Sequence, residues 1–192
     1  QMSIQFLHTL PSVVWSAAIP LQLYPGLRKM APRLHRLSGY AFSLAAAMMM
    51  IGFWIIDRKG LYYYKTDFPG IDEHAYLTRF PMLLGGIPHA ETFQVTAIWF
   101  ALTLILAVFY ARKKNFAAHR NFIYRHIGAG IWVALQRWYV FFICSLGFTG
   151  NTPRDQKMNF GDGALFSLGF TIVGAEVAIW LASKKRTNGH AK

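Results

Sequence analysis

The chain alternates long apolar runs with short clusters of charge, and the run lengths are those of membrane spans. Crossing about 30 Å of hydrocarbon takes about 20 apolar residues as a helix. Five stretches meet that length: 4–24, 37–56, 92–111, 127–147 and 163–183. The second and third carry no charge, the first only His8, and the fifth only Glu176. The fourth lies within a longer apolar stretch, 122–148, so its register is left open by pattern alone. Pro11 and Pro20 are expected to kink the first span or to bound a shorter helix, because proline lacks an N–H and clashes with the preceding turn. The expected fold is an all-α integral membrane bundle of five transmembrane helices, forming a single domain.

Charge between the runs sets an orientation. Arg28, Lys29, Arg33 and Arg36 follow the first span, Arg112, Lys113, Lys114, Arg120 and Arg125 follow the third, and Lys184, Lys185, Arg186 and Lys192 follow the fifth, with no acid among them. Asp57, Asp67, Asp72, Glu73, Glu91, Asp155 and Asp162 fall in the alternate connections. By the positive-inside rule the basic side is inner, which places the N-terminus outside and the C-terminus inside. Composition agrees: 54% hydrophobic residues beside a formal net charge of +12 suit a small membrane protein with basic flanks. The basic residues cluster between apolar spans and form no soluble basic face interleaved with aromatics, which argues against a nucleic-acid partner. The membrane is read as an organellar inner membrane or a bacterial plasma membrane.

The outer loop, 57–90, holds Tyr62, Tyr63, Tyr64, Phe68, Pro69, Gly70 and Pro81, which suggests an ordered cap with interfacial aromatics, and His74 reads there as a solvated loop residue. Residues 151–162 make a shorter outer loop. Cys144, the single cysteine, reads as a buried small hydrophobe. Gln at position 1 reads as a processed or trimmed start. Gly39, Ala45, Ala46, Gly128 and Gly130 would let helices approach closely or leave room for a planar ligand.

Candidate chemistry concentrates between residues 119 and 137, where His119, His126 and Arg137 share one sector of a helix. Polar groups so placed point toward other helices, since lipid is a costly surrounding for them. His35 and His119 stand at matching depth near the inner boundary, each before an apolar span; His126 matches only if the fourth span starts two turns later. His8 and His89 approach the outer boundary. Paired imidazoles on neighbouring helices are what a b-type haem needs, with Arg36, Arg120 and Tyr40 around it. The same His-Arg pairs would equally serve as interfacial anchors on lipid phosphate. Arg137 and Glu176, at similar depth if the fourth span starts at Ile127, are expected to pair, either as a structural ion pair that fixes the fifth helix to the core or as a proton or ligand contact within the membrane.

Pro20-Leu-Gln-Leu-Tyr-Pro-Gly-Leu-Arg28, Pro32-Arg-Leu-His35-Arg36-Leu-Ser-Gly39-Tyr40 and His119-Arg120 followed by Arg125 and Arg137 resemble the predicted membrane proteins grouped as domain of unknown function 2306, over about residues 4–148. The resemblance implies a four-helix membrane core, with the fifth span an addition. The family reads Trp-Met-Xaa-Arg-Ser after His-Arg where this chain has Phe122-Ile123-Tyr124-Arg125-His126, so His126 is a departure.

Cys-x-x-Cys, His-Glu-x-x-His, a phosphate loop and Gly-x-Ser-x-Gly do not occur. Glu176 is the one acid within a predicted span, which leaves paired-carboxylate hydrolysis without support. Two readings follow: a haem b electron-transfer or redox accessory protein with His35 and His119 as axial ligands, or a cofactor-free accessory subunit that binds lipids and neighbouring membrane subunits. Quinone or lipid is the alternative occupant of the bundle. Whether the protein is an enzyme is left open.

Overall fold

The computed structural model describes residues 4–59, 89–148, 150 and 152–189, with the backbone alone for 89–91, 153 and 185–189. All the regular structure among them is helical. A π-helical segment, Gln5–Thr9, runs directly into α1 (Leu10–Leu23); α2 (Pro25–Met30) and α3 (Pro32–Arg58) follow, then α4 (His89–Arg112), α5 (Phe116–Ser145) and α6 (Pro153–Gly189). The chain divides into two compact units, Gln1–Tyr62 and Tyr63–Lys192. Four helical stretches are long and apolar enough to cross a membrane: Pro32–Arg58, Thr92–Arg112, Phe116–Ser145 and Arg154–Lys184. The aromatic cap and His74 expected between 57 and 90 lie outside the described residues.

In the first unit, Pro11 reshapes the first helix. Its missing N–H would have bonded to the Leu7 carbonyl, and the backbone widens there into a π turn in which Leu10 N–H donates to Gln5 O. Pro20, by contrast, is carried inside α1. Pro25 and Pro32 each occupy the first turn of their helices, where a missing donor costs nothing. Tyr24, the residue before Pro25, is extended, as proline demands of its predecessor. Helix α1 then packs antiparallel on α3 with matched steps of seven. His8 Nδ1 lies 3.1 Å from Met49 O, Trp15 stacks on Phe42 at 5.4 Å between centroids, and the carbonyl of His35 faces Gln22 Nε2 at 3.4 Å. Gly52 allows the closest approach, since a Cβ there would stand 2.6 Å from both Leu7 O and His8 Cβ.

The second unit is an antiparallel stack of α4, α5 and α6. Only Lys113, Lys114 and Asn115 join α4 to α5, a length that forces antiparallel neighbours. Lys114 adopts φ 57° in that turn, and Asn115 caps α5 by accepting from Ala118 N–H at 3.1 Å. The core is Trp132 and Ala164, with Phe93, Val133 and Leu168 packed on them, so all three helices contribute.

Helix α5 is longer than the expected fourth span. It starts at Phe116 and runs 30 residues, about 45 Å, which places His119, Arg120, Arg125 and His126 inside one continuous helix. Helix α6 likewise starts at Pro153, so residues expected in a short outer loop are helical. Asn159 and Asp162 are buried there, at 0% and 1% exposed. Cys144, expected to be buried, is exposed near the end of α5.

Candidate functional site

The histidines are the side chains with the most chemical capacity, and the structure spends three of them on contacts between helices. His119 Nδ1 lies 2.9 Å from Ala107 O, and His126 Nδ1 lies 3.0 Å from Phe100 O. Seven residues separate the two histidines on α5, and seven separate the two carbonyls on α4, so the pairs repeat one antiparallel register. His8 makes the same bond to Met49 O in the first unit. A carbonyl can only accept, so Nδ1–H donates in each bond, an arrangement that in a neutral ring leaves the lone pair on Nε2. Such bonds suit a membrane interior, where helices have little hydrophobic reason to adhere and polar contacts and close packing hold them.

His126 is the most enclosed of the three. Its ring is 0% exposed and packs tilted against Phe100 at 4.1 Å between centroids. Thr103 Oγ1 stands 3.4 Å from its Nδ1 and donates back to Trp99 O and Phe100 O at 2.9 Å. The Phe100 carbonyl thereby receives both side chains, and Thr103 is itself fully buried. Thr103 was not a candidate from the sequence; a hydroxyl in an apolar helix opposite a histidine is legible only once the two helices are in register.

These positions test the haem ligands. His119 and His126 stand on one face of one helix about 10 Å apart along its axis, so they cannot take opposite sides of a single iron. The enclosed ring of His126 does not fit an axial ligand. His119, half-buried with Nδ1 held by a carbonyl, has the tautomer an iron-bound imidazole needs. His35 belongs to the first unit, with its carbonyl receiving Gln22 Nε2 at 3.4 Å and Ser38 Oγ at 3.1 Å. Arg36 and Tyr40 are exposed, and they lie away from the α3 face on which His35, Ser38 and Phe42 meet α1. They do not surround His35 as expected. Arg120 is half-buried, and its Nε and Nη2 are covered without a hydrogen-bond partner. The side chain of His89 lies outside the described residues. No group of three or more His, Cys, Asp or Glu able to hold a metal occurs among the described residues.

The expected pair of Arg137 with Glu176 is corrected. Glu176 is held by Arg125, whose Nε and Nη2 reach its two oxygens at 2.6 and 2.9 Å. The register of α5 against α6 explains the choice. Gly128 lies against Thr171 and Ala175, Gln136 donates to Phe160 O at 3.0 Å, and Asn159 Nδ2 lies 3.7 Å from Cys144 Sγ. Arg137 therefore falls near Phe160, over whose ring its guanidinium stands at 5.4 Å, about 24 Å along α6 from Glu176. A span starting at Ile127 would set Arg137 near the depth of Glu176; the helix begins at Phe116 and packs on α6 with Arg125 at the level of Glu176. The guanidinium of Arg125 also lies over the Phe122 ring at 5.4 Å.

Compared with protein-family models, with curated proteins and with solved structures, the chain matches none.

Proposed function

We propose that this chain is a cofactor-free accessory subunit of a membrane assembly, crossing the bilayer five times with its N-terminus outside and its basic face inside. The observation that carries this reading is the use of His8, His119 and His126 as ties from one helix to the backbone of the next. Imidazoles engaged in this way fix helix register, and for His126 the enclosure of the ring leaves no approach for a ligand. The basic inner residues Arg28, Lys29, Arg33, Arg36, Arg112, Lys113 and Lys114 are exposed and suit anionic lipid headgroups. The likeness to the domain of unknown function 2306 proteins belongs to the same proposal.

A second reading retains haem b with His119 as a ligand, and its Nδ1 bond to the Ala107 carbonyl favours it. An absorption spectrum of the purified protein, oxidised and then reduced with dithionite, separates the two. The accessory reading expects no haem Soret or α-band at stoichiometric protein. A sharp reduced α-band that is lost in His119→Ala would replace it with the haem reading.

A further inference from the structure

Glu176 and Arg125 present an ion pair on the outside of the helices. Their side chains are 51% and 28% exposed, although each lies well within a candidate span. The middle of Arg154–Lys184 is near Gly169, so Glu176 stands seven residues, about 10 Å, from it, inside a hydrocarbon half-thickness of about 15 Å. A glutamate is too short to carry its charge to the headgroups from that depth as lysine and arginine do. Half-exposed to acyl chains, the pair keeps unmet hydrogen-bonding capacity where no water supplies it. Beside it runs an apolar groove of about 860 Å³, lined by Leu135 and Tyr139 of α5 and by Phe166, Phe170, Val173 and Val177 of α6. Gly169 and Gly174 line it too, and a Cβ at either would meet nothing within 4 Å, so another backbone can approach closely.

We infer that this face is the seat of a second copy of the chain, joined about a twofold axis along the membrane normal. Such an axis sets residues of equal depth against one another, so the face must complement itself. A surface of one cation beside one anion does so: Arg125 of each copy meets Glu176 of the other, and four charges close into an alternating ring. The atoms suffice for this, because Arg125 commits Nε–H and one Nη2–H to its own Glu176 and keeps three N–H donors, while each carboxylate keeps two of its lone-pair positions. A single acidic or basic helix from another protein would leave one member of the pair facing its like. This inference goes beyond the accessory reading, and the haem spectrum that tests that reading does not bear on it.

The test uses the full chain in liposomes. With Cys144→Ser as background, Val173→Cys is expected to form a disulfide-linked dimer under mild oxidation, and Ile105→Cys on the exposed side of α4 is not. Förster transfer between labelled copies is expected to show about tenfold weaker association for Glu176→Gln. The exchange Arg125→Glu with Glu176→Arg keeps the pair within each copy and its self-complementarity, so it is expected to restore association. Melting of the exchanged protein shows whether the helix pair has survived. Absence of the Val173→Cys link, equal linking at Ile105→Cys, or wild-type association in Glu176→Gln would each overturn the inference. Loss of association in an exchanged protein that melts like wild type would do the same.

Discussion

His119 and His126 make the same bond to the same neighbouring helix but differ in what surrounds them, and that difference sets what each is worth. Side-chain hydrogen bonds between membrane helices contribute on the order of 0.6 kcal/mol, reaching about 1.7, because the separated helices also find partners. His119 is half-buried, so removing its ring frees one carbonyl that lies near the helix end. His126 fills space completely enclosed among Phe100, Thr103 and α5, and its truncation adds a cavity to the lost bond. His119→Ala is expected to cost about 1 kcal/mol and His126→Ala about 3 kcal/mol, measured by reversible unfolding in mixed detergent micelles. Replacing His126 by Phe would keep the volume and lose the polar tie; it should recover most of the deficit if packing dominates, as the 4.1 Å ring contact implies. Equal costs for the two alanine variants would show that burial is not what distinguishes them.

At the scale of elements, glycines separate the contacts that cannot widen from the faces that remain open. Gly52 on α3 meets backbone, Leu7 O, at 2.6 Å from where a Cβ would stand, and that carbonyl is fixed by the π turn that Pro11 imposes. Gly52→Ala is expected to part the two helices and to cost about 2 kcal/mol or more in the same unfolding measurement. In Gly174→Ala the new methyl meets nothing, so the monomer should be unchanged or stabilised by up to about 1 kcal/mol through helix propensity. The helices themselves were legible in the sequence, because an apolar run of about 20 residues has few other uses. The common sector of His119 and His126 was legible too, since it follows from helical periodicity alone. What pattern could not give was register. Arg137 was the expected partner of Glu176, and the pairing with Arg125 instead depended on the register of α5 against α6. Asn115 caps the start of α5, eleven residues before the hydrophobic window opens at Ile127. Asp162 misled for a related reason: a hydropathy window ends where charge begins, whereas α6 continues outward and buries Asn159 and Asp162 against its neighbours.

For the whole molecule, the number of crossings turns on the first stretch. Gln5–Thr9 and Leu10–Leu23 together give 5 and 14 helical residues, about 28 Å, which just spans the hydrocarbon. The π turn widens the helix without breaking it, and the tie from His8 to Met49 holds its start beside the far half of α3, a helix of full spanning length. A stretch paired along such a helix is expected to cross with it. The proposed five crossings, with the N-terminus outside, would set Gln5 and Thr152 outside and Lys113 inside, the last in a turn whose cations the positive-inside rule favours there. Single cysteines at these positions, in a Cys144→Ser background, are expected to react with a membrane-impermeant maleimide from the outer side at 5 and 152, and at 113 only after permeabilisation. Protection at position 5 together with reaction at 152 would mean that the first helix does not cross and that four spans are present. Reaction at 113 in sealed membranes would invert the whole arrangement. Neutralising Arg112, Lys113 and Lys114 together to Gln should bring a fraction of molecules into that inverted state, because Lys113 and Lys114 in the three-residue turn and Arg112 at the end of α4 are cations with no acid beside them in the connection, and orientation is biased by such short basic loops.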